Sequence, residues 1–110
     1  MAFVNYPGGR FVLKRNESAT VKMGPFLNSD GDVVTGLTIN QSDVQLSKND
    51  AAFAQKNDSS AATDLGNGWY DVSLNNNDAN TQGNLLIFIN VSGCLPVWRY
   101  IEVDASSEPL

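Results

Sequence analysis

Apolar and polar residues alternate at every second position through several short stretches, the spacing of a strand with one buried face. Ala19–Met23 and Val44–Lys48 both alternate this way. In Trp69–Leu74, Tyr70, Val72 and Leu74 share one face, the better candidate for the core, while Trp69 shares the other with Asp71. Val97–Val103 sets Val97, Arg99, Ile101 and Val103 against Trp98, Tyr100 and Glu102. Leu85–Val91 is apolar on both faces, which predicts a central strand or one covered by a neighbouring subunit. Leu37 and Ile39 alternate with Thr38 and Asn40, which suits one more short strand or the approach to one. Ala51–Lys56 predicts a return strand, joined to Val44–Lys48 by an Asn49-Asp50 turn.

Turn chemistry fills the gaps between these runs. Asn28-Ser29-Asp30-Gly31-Asp32 predicts a tight turn with Gly31 at positive φ, and Leu65-Gly66-Asn67-Gly68 another. Residues 57–63 read as a polar loop, and Asn75–Asn80 as a single helical turn begun by an asparagine cap. The count is about seven strands at the spacing of a sandwich. The expected fold is therefore all-β, a single immunoglobulin-like antiparallel β-sandwich, with a closed barrel as the alternative. The Cys–Trp–Cys hallmark of antibody domains is absent, so the expectation concerns architecture alone. Residues 1–17, which contain Pro7-Gly8-Gly9, read as an extended N-terminal arm with at most an edge strand. Residues 18–104 form the sandwich and 105–110 a polar tail.

The chain of 110 residues carries a net charge of -5, which disfavours nucleic acid as a partner. Arg10, Lys14, Arg15 and Lys22 gather near the start, and Glu102, Asp104 and Glu108 near the end, so each end suits a surface of opposite sign. No apolar run approaches the length of a membrane span, and the first residues lack the pattern of a secretory signal. The expectation is a soluble protein made in a cytoplasm, with no membrane partner. Cys94 is the single cysteine, so no disulfide forms within the chain.

Candidate chemistry is sparse. The chain has no histidine, which removes Ser–His–Asp and Cys–His arrangements and the usual zinc clusters. Cys94, between Gly93 and Leu95, reads as a small half-buried apolar residue. Asp64 and Asp71, flanking Trp69-Tyr70, are a pair of carboxylates that could serve a glycosidase, though such residues also suit turns and strand edges. Asn28–Asp32 imitates the start of a calcium loop, but Ile39 stands where the bidentate glutamate belongs. No enzyme, cofactor or metal is expected. Trp69 and Trp98 are possible exposed aromatic contacts, for a protein or for sugar rings, although at least one of them is expected to close an end of the core.

Five segments carry a resemblance: Glu17–Phe26, Thr35-Gly36-Leu37-Thr38-Ile39, Val44–Ala54, Gly66–Leu74 and Asp78–Gly83. Together they resemble a widespread family of small tailed-bacteriophage virion proteins, over most of residues 17–103. The resemblance implies a structural role in the virion. The first expectation is a capsid decoration (cement) protein bound to the major capsid protein. The alternatives are a neck or tail accessory or fibre adaptor bound to neck or tail proteins, and a virion-borne glycan- or receptor-binding module. Homo-oligomers are compatible with either reading. On this view the arm does the binding: Arg10, Lys14 and Arg15 meet an acidic capsid surface, while Phe3, Tyr6 and Phe11 fill pockets. Deletion of residues 2–16 is then expected to abolish attachment without unfolding the domain.

Overall fold

The structure, a computed structural model, describes residues 3–5 and 11–105. Its strands are β1 (Phe3–Asn5), β2 (Phe11–Lys14), β3 (Ala19–Met23), β4 (Val44–Lys48), β5 (Ala54–Gln55), β6 (Thr63–Gly66), β7 (Trp69–Leu74), β8 (Gly83–Ile89) and β9 (Val97–Asp104). They form a six-stranded sheet in the order β1-β2-β9-β8-β4-β5 and a three-stranded sheet in the order β3-β7-β6. The two sheets pack face to face as a β-sandwich, as the alternation predicts, and do not close into a barrel.

Period-two alternation decides which residues meet between the sheets. Leu85, Ile87 and Ile89 of β8 oppose Lys48, Leu46 and Val44 of β4 and Ile101, Arg99 and Val97 of β9. From the smaller sheet come Val21 and Met23 of β3 and Tyr70, Val72 and Leu74 of β7, all buried. Phe26 closes one end, its ring edge-on to Tyr70 at 5.2 Å and 84°, a favourable arrangement of the two ring quadrupoles. Arg99 faces inward at the open side of the sandwich, where its Nη1 donates to the Lys22 carbonyl at 2.8 Å and ties β9 to β3.

Residues 24–43 connect the sheets without a ladder. The strand expected around Leu37 and Ile39 is absent, because the backbone there bonds elsewhere. The Leu37 N–H donates to the Tyr70 hydroxyl at 3.1 Å, and the Ile39 carbonyl accepts from the Ala62 N–H at 2.9 Å. Tyr70 Oη in turn donates to the Val34 carbonyl at 3.1 Å, so one buried phenol pins both limbs of the connection. The Asn28–Asp32 turn forms as expected: Gly31 has φ +84°, and Asn28 Oδ1 accepts from the Asp30 and Asp32 N–H groups. At 75–80 the chain makes the expected capped turn, with Asn75 Oδ1 accepting from the Asp78 N–H and the Asn75 carbonyl from the Ala79 N–H.

Three further expectations change. β6 falls where a loop and turn were expected. It is an exposed edge strand with little apolar content, so it lacks the alternation that marks its partners. The return of Ala51–Lys56 is paired only at Ala54–Gln55. The arm expected over 1–17 gives up its second half to the sandwich. β2 runs parallel to β9, pairing Val12 with Glu102, Leu13 with Val103 and Lys14 with Asp104, and Leu13 is fully buried in the core.

Candidate docking surface

The outer face of the larger sheet is where this fold presents most of its exposed aromatic residues. In β8 and β9 the positions between the core residues point outward, and the register sets Phe88 opposite Trp98 and Leu86 opposite Tyr100. Trp98 and Tyr100 are 62% and 63% exposed. Phe53, in the link between β4 and β5, is 49% exposed and lays its ring against Phe88 at 5.6 Å between centroids. Gln45 and Ser47 of β4 continue the same two rows. The strip is thus uncharged from Phe53 to Tyr100, with Asn84 and Glu102 forming the next row. Scattered apolar residues on a surface need no explanation, but a contiguous strip of tryptophan, tyrosine and phenylalanine does. These residue types dominate the anchor points of protein interfaces, because they bury much area while freezing few torsions.

Of the residues expected to bind partners, Trp98 belongs to this strip. Trp69 does not: it lies in the other sheet, on the outer face of β7, and is 38% exposed. Tyr6 and Arg10, and the side chains of Phe3 and Phe11, lie outside the described residues. Lys14 and Arg15 are half-buried beside β9, Lys14 is already engaged within the chain, and the Arg15 N–H donates to the Asp104 carbonyl at 2.8 Å. Tyr100, Phe88 and Phe53 were not singled out from sequence. The signal was present in the parity of Phe88 within a strand apolar on both faces, and in the step of two between Trp98 and Tyr100.

The remaining candidates are not assembled into a reactive site. Asp64 pairs with Tyr70, whereas Asp71 pairs with Thr63, so the register puts the two carboxylates on opposite sides of the sheet. Asp71 is 3.0 Å from Lys22 Nζ in an exposed ion pair. Asp64 accepts from the Gly66 and Gly36 N–H groups, which hold its carboxyl below the ordinary carboxylate range. Cys94 packs half-buried against the core. Among the described residues no group of acidic, histidine or cysteine side chains is placed to hold a metal ion, and no helix is long and apolar enough to cross a membrane.

A buried lysine is another feature that sequence reasoning missed. Lys56 is 1% exposed, and its ammonium donates to the carbonyls of Asp58, Ser60 and Ser73 and to the Asp58 carboxylate. Burial alone would raise the Asp58 carboxyl. Hydrogen bonds from the Ser60 hydroxyl and N–H and from Lys56 outweigh it and hold the group below its usual value. Asp78, also buried, accepts from the Asn57, Asp58 and Asn75 N–H groups. The two side chains fold residues 56–60 onto the 75–80 turn. The Lys56 ammonium and both Asp78 carboxylate oxygens are spent on the chain itself, which marks the cluster as structural.

No protein-family model, curated protein or solved structure matches the chain.

Proposed function

We propose that the protein is a non-enzymatic virion structural protein of a tailed bacteriophage that decorates the capsid, docking on the major capsid protein through the aromatic strip of its larger sheet. The observation that carries the docking part is the uncharged outer-face array of Phe53, Phe88, Trp98 and Tyr100. A decoration protein needs a rigid body and a sticky face rather than chemistry, and this chain pairs a buried apolar core with an Asp78 carboxylate committed to its own backbone and an Asp71 carboxylate paired with Lys22. The phage assignment rests on the resemblance over residues 17–103. The immunoglobulin-like reading of the sandwich belongs to the same proposal. It is supported by the strand order: β3-β7-β6 stand where strands B, E and D of such a fold stand, and β4-β8-β9 where C, F and G stand.

The test is the copy number of the protein in purified virions, by quantitative mass spectrometry against the major capsid protein. A ratio near one, or near one-third for single copies at threefold positions, supports capsid decoration. A ratio of a few per hundred moves the protein to the neck or tail, and absence from virions overturns the assignment.

A further inference from the structure

The outer face of the smaller sheet carries the second exposed tryptophan, in surroundings unlike those of Trp98. Trp69 opens β7 between two glycines. A Cβ on Gly24, the residue after β3, would come within 3.0 Å of Trp69 Cδ2, so the indole takes the place a side chain would fill. On the other flank the register sets Gly66 of β6 opposite Trp69, and a Cβ there would meet nothing within 4 Å. The ring thus packs against bare backbone at the end of β3, has open space on the β6 side, and stays 38% exposed. One row further along the same face, the register aligns Lys22, Asp71 and Thr63 across the three strands. Lys22 Nζ and Asp71 Oδ1 are 3.0 Å apart, in side chains 64% and 25% exposed. That contact uses one ammonium hydrogen; the other two, and Asp71 Oδ2, bond to no described residue.

From this arrangement we infer that the face binds a neutral hexopyranose residue stacked on Trp69. The C–H hydrogens on one side of such a ring carry slight positive charge and are drawn to the negative face of an indole. Successive rows on one face of a strand lie about 7 Å apart, so the hydroxyl edge of a stacked sugar reaches Lys22 and Asp71. There a donor and an acceptor stand side by side, matching two adjacent hydroxyls that each give and take a hydrogen bond. The ammonium and the carboxylate cancel in charge, so the row suits an uncharged ligand. An open sheet face covers only one side of the sugar, which puts the dissociation constant at about 1 mM. The site lies on the opposite sheet from the docking strip and does not depend on it.

The experiment is an amide and indole ¹H–¹⁵N titration of the full chain with methyl β-galactoside and methyl β-glucoside. Glycerol, which has hydroxyls but no ring to stack, and glucuronate, which adds a charge, are the controls. The expected result is saturable shifts at the Trp69 indole and at the amides of Lys22, Thr63 and Asp71 with at least one glycoside. Glycerol is expected to bind about tenfold more weakly, and glucuronate no more tightly than the glucoside. Trp69→Leu keeps an apolar side chain beside Gly24, removes the stacking face and is expected to abolish the shifts. Asp71→Asn breaks only an exposed ion pair, so it keeps the fold and is expected to bind about tenfold more weakly. Trp98→Ser is expected to bind as the parent does, which separates this site from the docking surface. Parent-like binding by the Trp69 or the Asp71 variant, shifts centred on Trp98, equal shifts with glycerol, tighter binding of glucuronate, or no shift at about 50 mM glycoside would each overturn the assignment.

Discussion

The Lys56 ammonium donates to the Ser73 carbonyl at 3.0 Å, joining a loop that contains no regular structure to the C-terminal end of β7. The same ammonium gathers the Asp58 and Ser60 carbonyls, so one buried cation organises the whole 56–60 loop. Its desolvation is tolerable because the acceptors are already in place around it. Lys56→Met keeps the length of the side chain and removes the donors, leaving buried carbonyls unsatisfied. The expected loss is about 3 kcal/mol of unfolding free energy, read as a lower urea midpoint with unchanged slope. Lys56→Arg does not restore it, since the wider planar head does not fit a site shaped for a compact ammonium.

Acid weakens the fold through two carboxylates. Asp58 and Asp64 both sit below their ordinary value of 3.8 in the folded chain. A depressed carboxyl contributes stability that is complete well above its unfolded value and lost as pH falls through the folded one. The urea midpoint is therefore expected to hold steady at neutral pH and to fall once pH drops below about 4. Asp64→Asn removes the charged acceptor of the Gly36 and Gly66 N–H groups and should flatten that fall. A slope unchanged in the variant would show that Asp64 does not carry the effect.

Tyr70, Val72 and Leu74 were legible as a core face because every second residue of β7 is large and apolar; β3, β4 and β9 declared themselves the same way, and β8 by a run apolar on both faces. β6 did not: Thr63, Asp64, Leu65 and Gly66 form an exposed edge strand, and nothing in their order demands a buried side. Lys56 was illegible for the opposite reason. Between Gln55 and Asn57 it looks like solvated polar chain, and its burial arises only when carbonyls from residues 58, 60 and 73 converge on it. The docking strip was half legible. Trp98 was marked by its type, whereas Phe88 and Phe53 join it only through cross-strand register and the β4–β5 link.

Leu13 alters the design of any truncation. It is fully buried, opposite Val103, in a stretch that sequence assigned to an arm. A cut through residue 16 removes a core side chain and the partner strand of β9 together. Leu13→Ala alone should cost about 2–5 kcal/mol. The 2–16 deletion is expected to give a strongly destabilised or unfolded chain by circular dichroism, while deletion of 2–10 keeps β2 and a cooperative unfolding transition. Capsid attachment is therefore to be measured on the shorter deletion, where lost binding does not report lost folding.

Gly83 begins β8 at φ +124°, and a Cβ there would overlap Asn49 Oδ1. The Asn49 amide sits in that space because it bridges the Gln82 carbonyl and the Asn84 N–H, both at 2.9 Å. Gly83→Ala meets an unfavourable backbone region and displaces the bridge, at an expected cost of about 1–3 kcal/mol. Asn49→Ala should lose part of the same stability, and the double variant less than the sum of the two, because both act on one contact.

Trp98 and Tyr100 separate binding from folding. Each is more than half exposed, and between them on β9 lies inward-facing Arg99, so the pair contributes little to the core. Replacing both by serine removes cross-strand contacts with Phe88 and Leu86 and should cost less than about 2 kcal/mol of stability. Ile101→Ala, one position further along the strand and buried, should cost about 2–5 kcal/mol. If the strip is the docking face, the serine pair lowers affinity for capsids by about thirtyfold or more, as loss of an aromatic anchor does, while a partly unfolding core variant lowers only the fraction of active protein. Co-sedimentation with capsids over a range of protein concentrations tells the two apart. Wild-type affinity in the Trp98→Ser, Tyr100→Ser chain would move the docking face elsewhere on the sandwich.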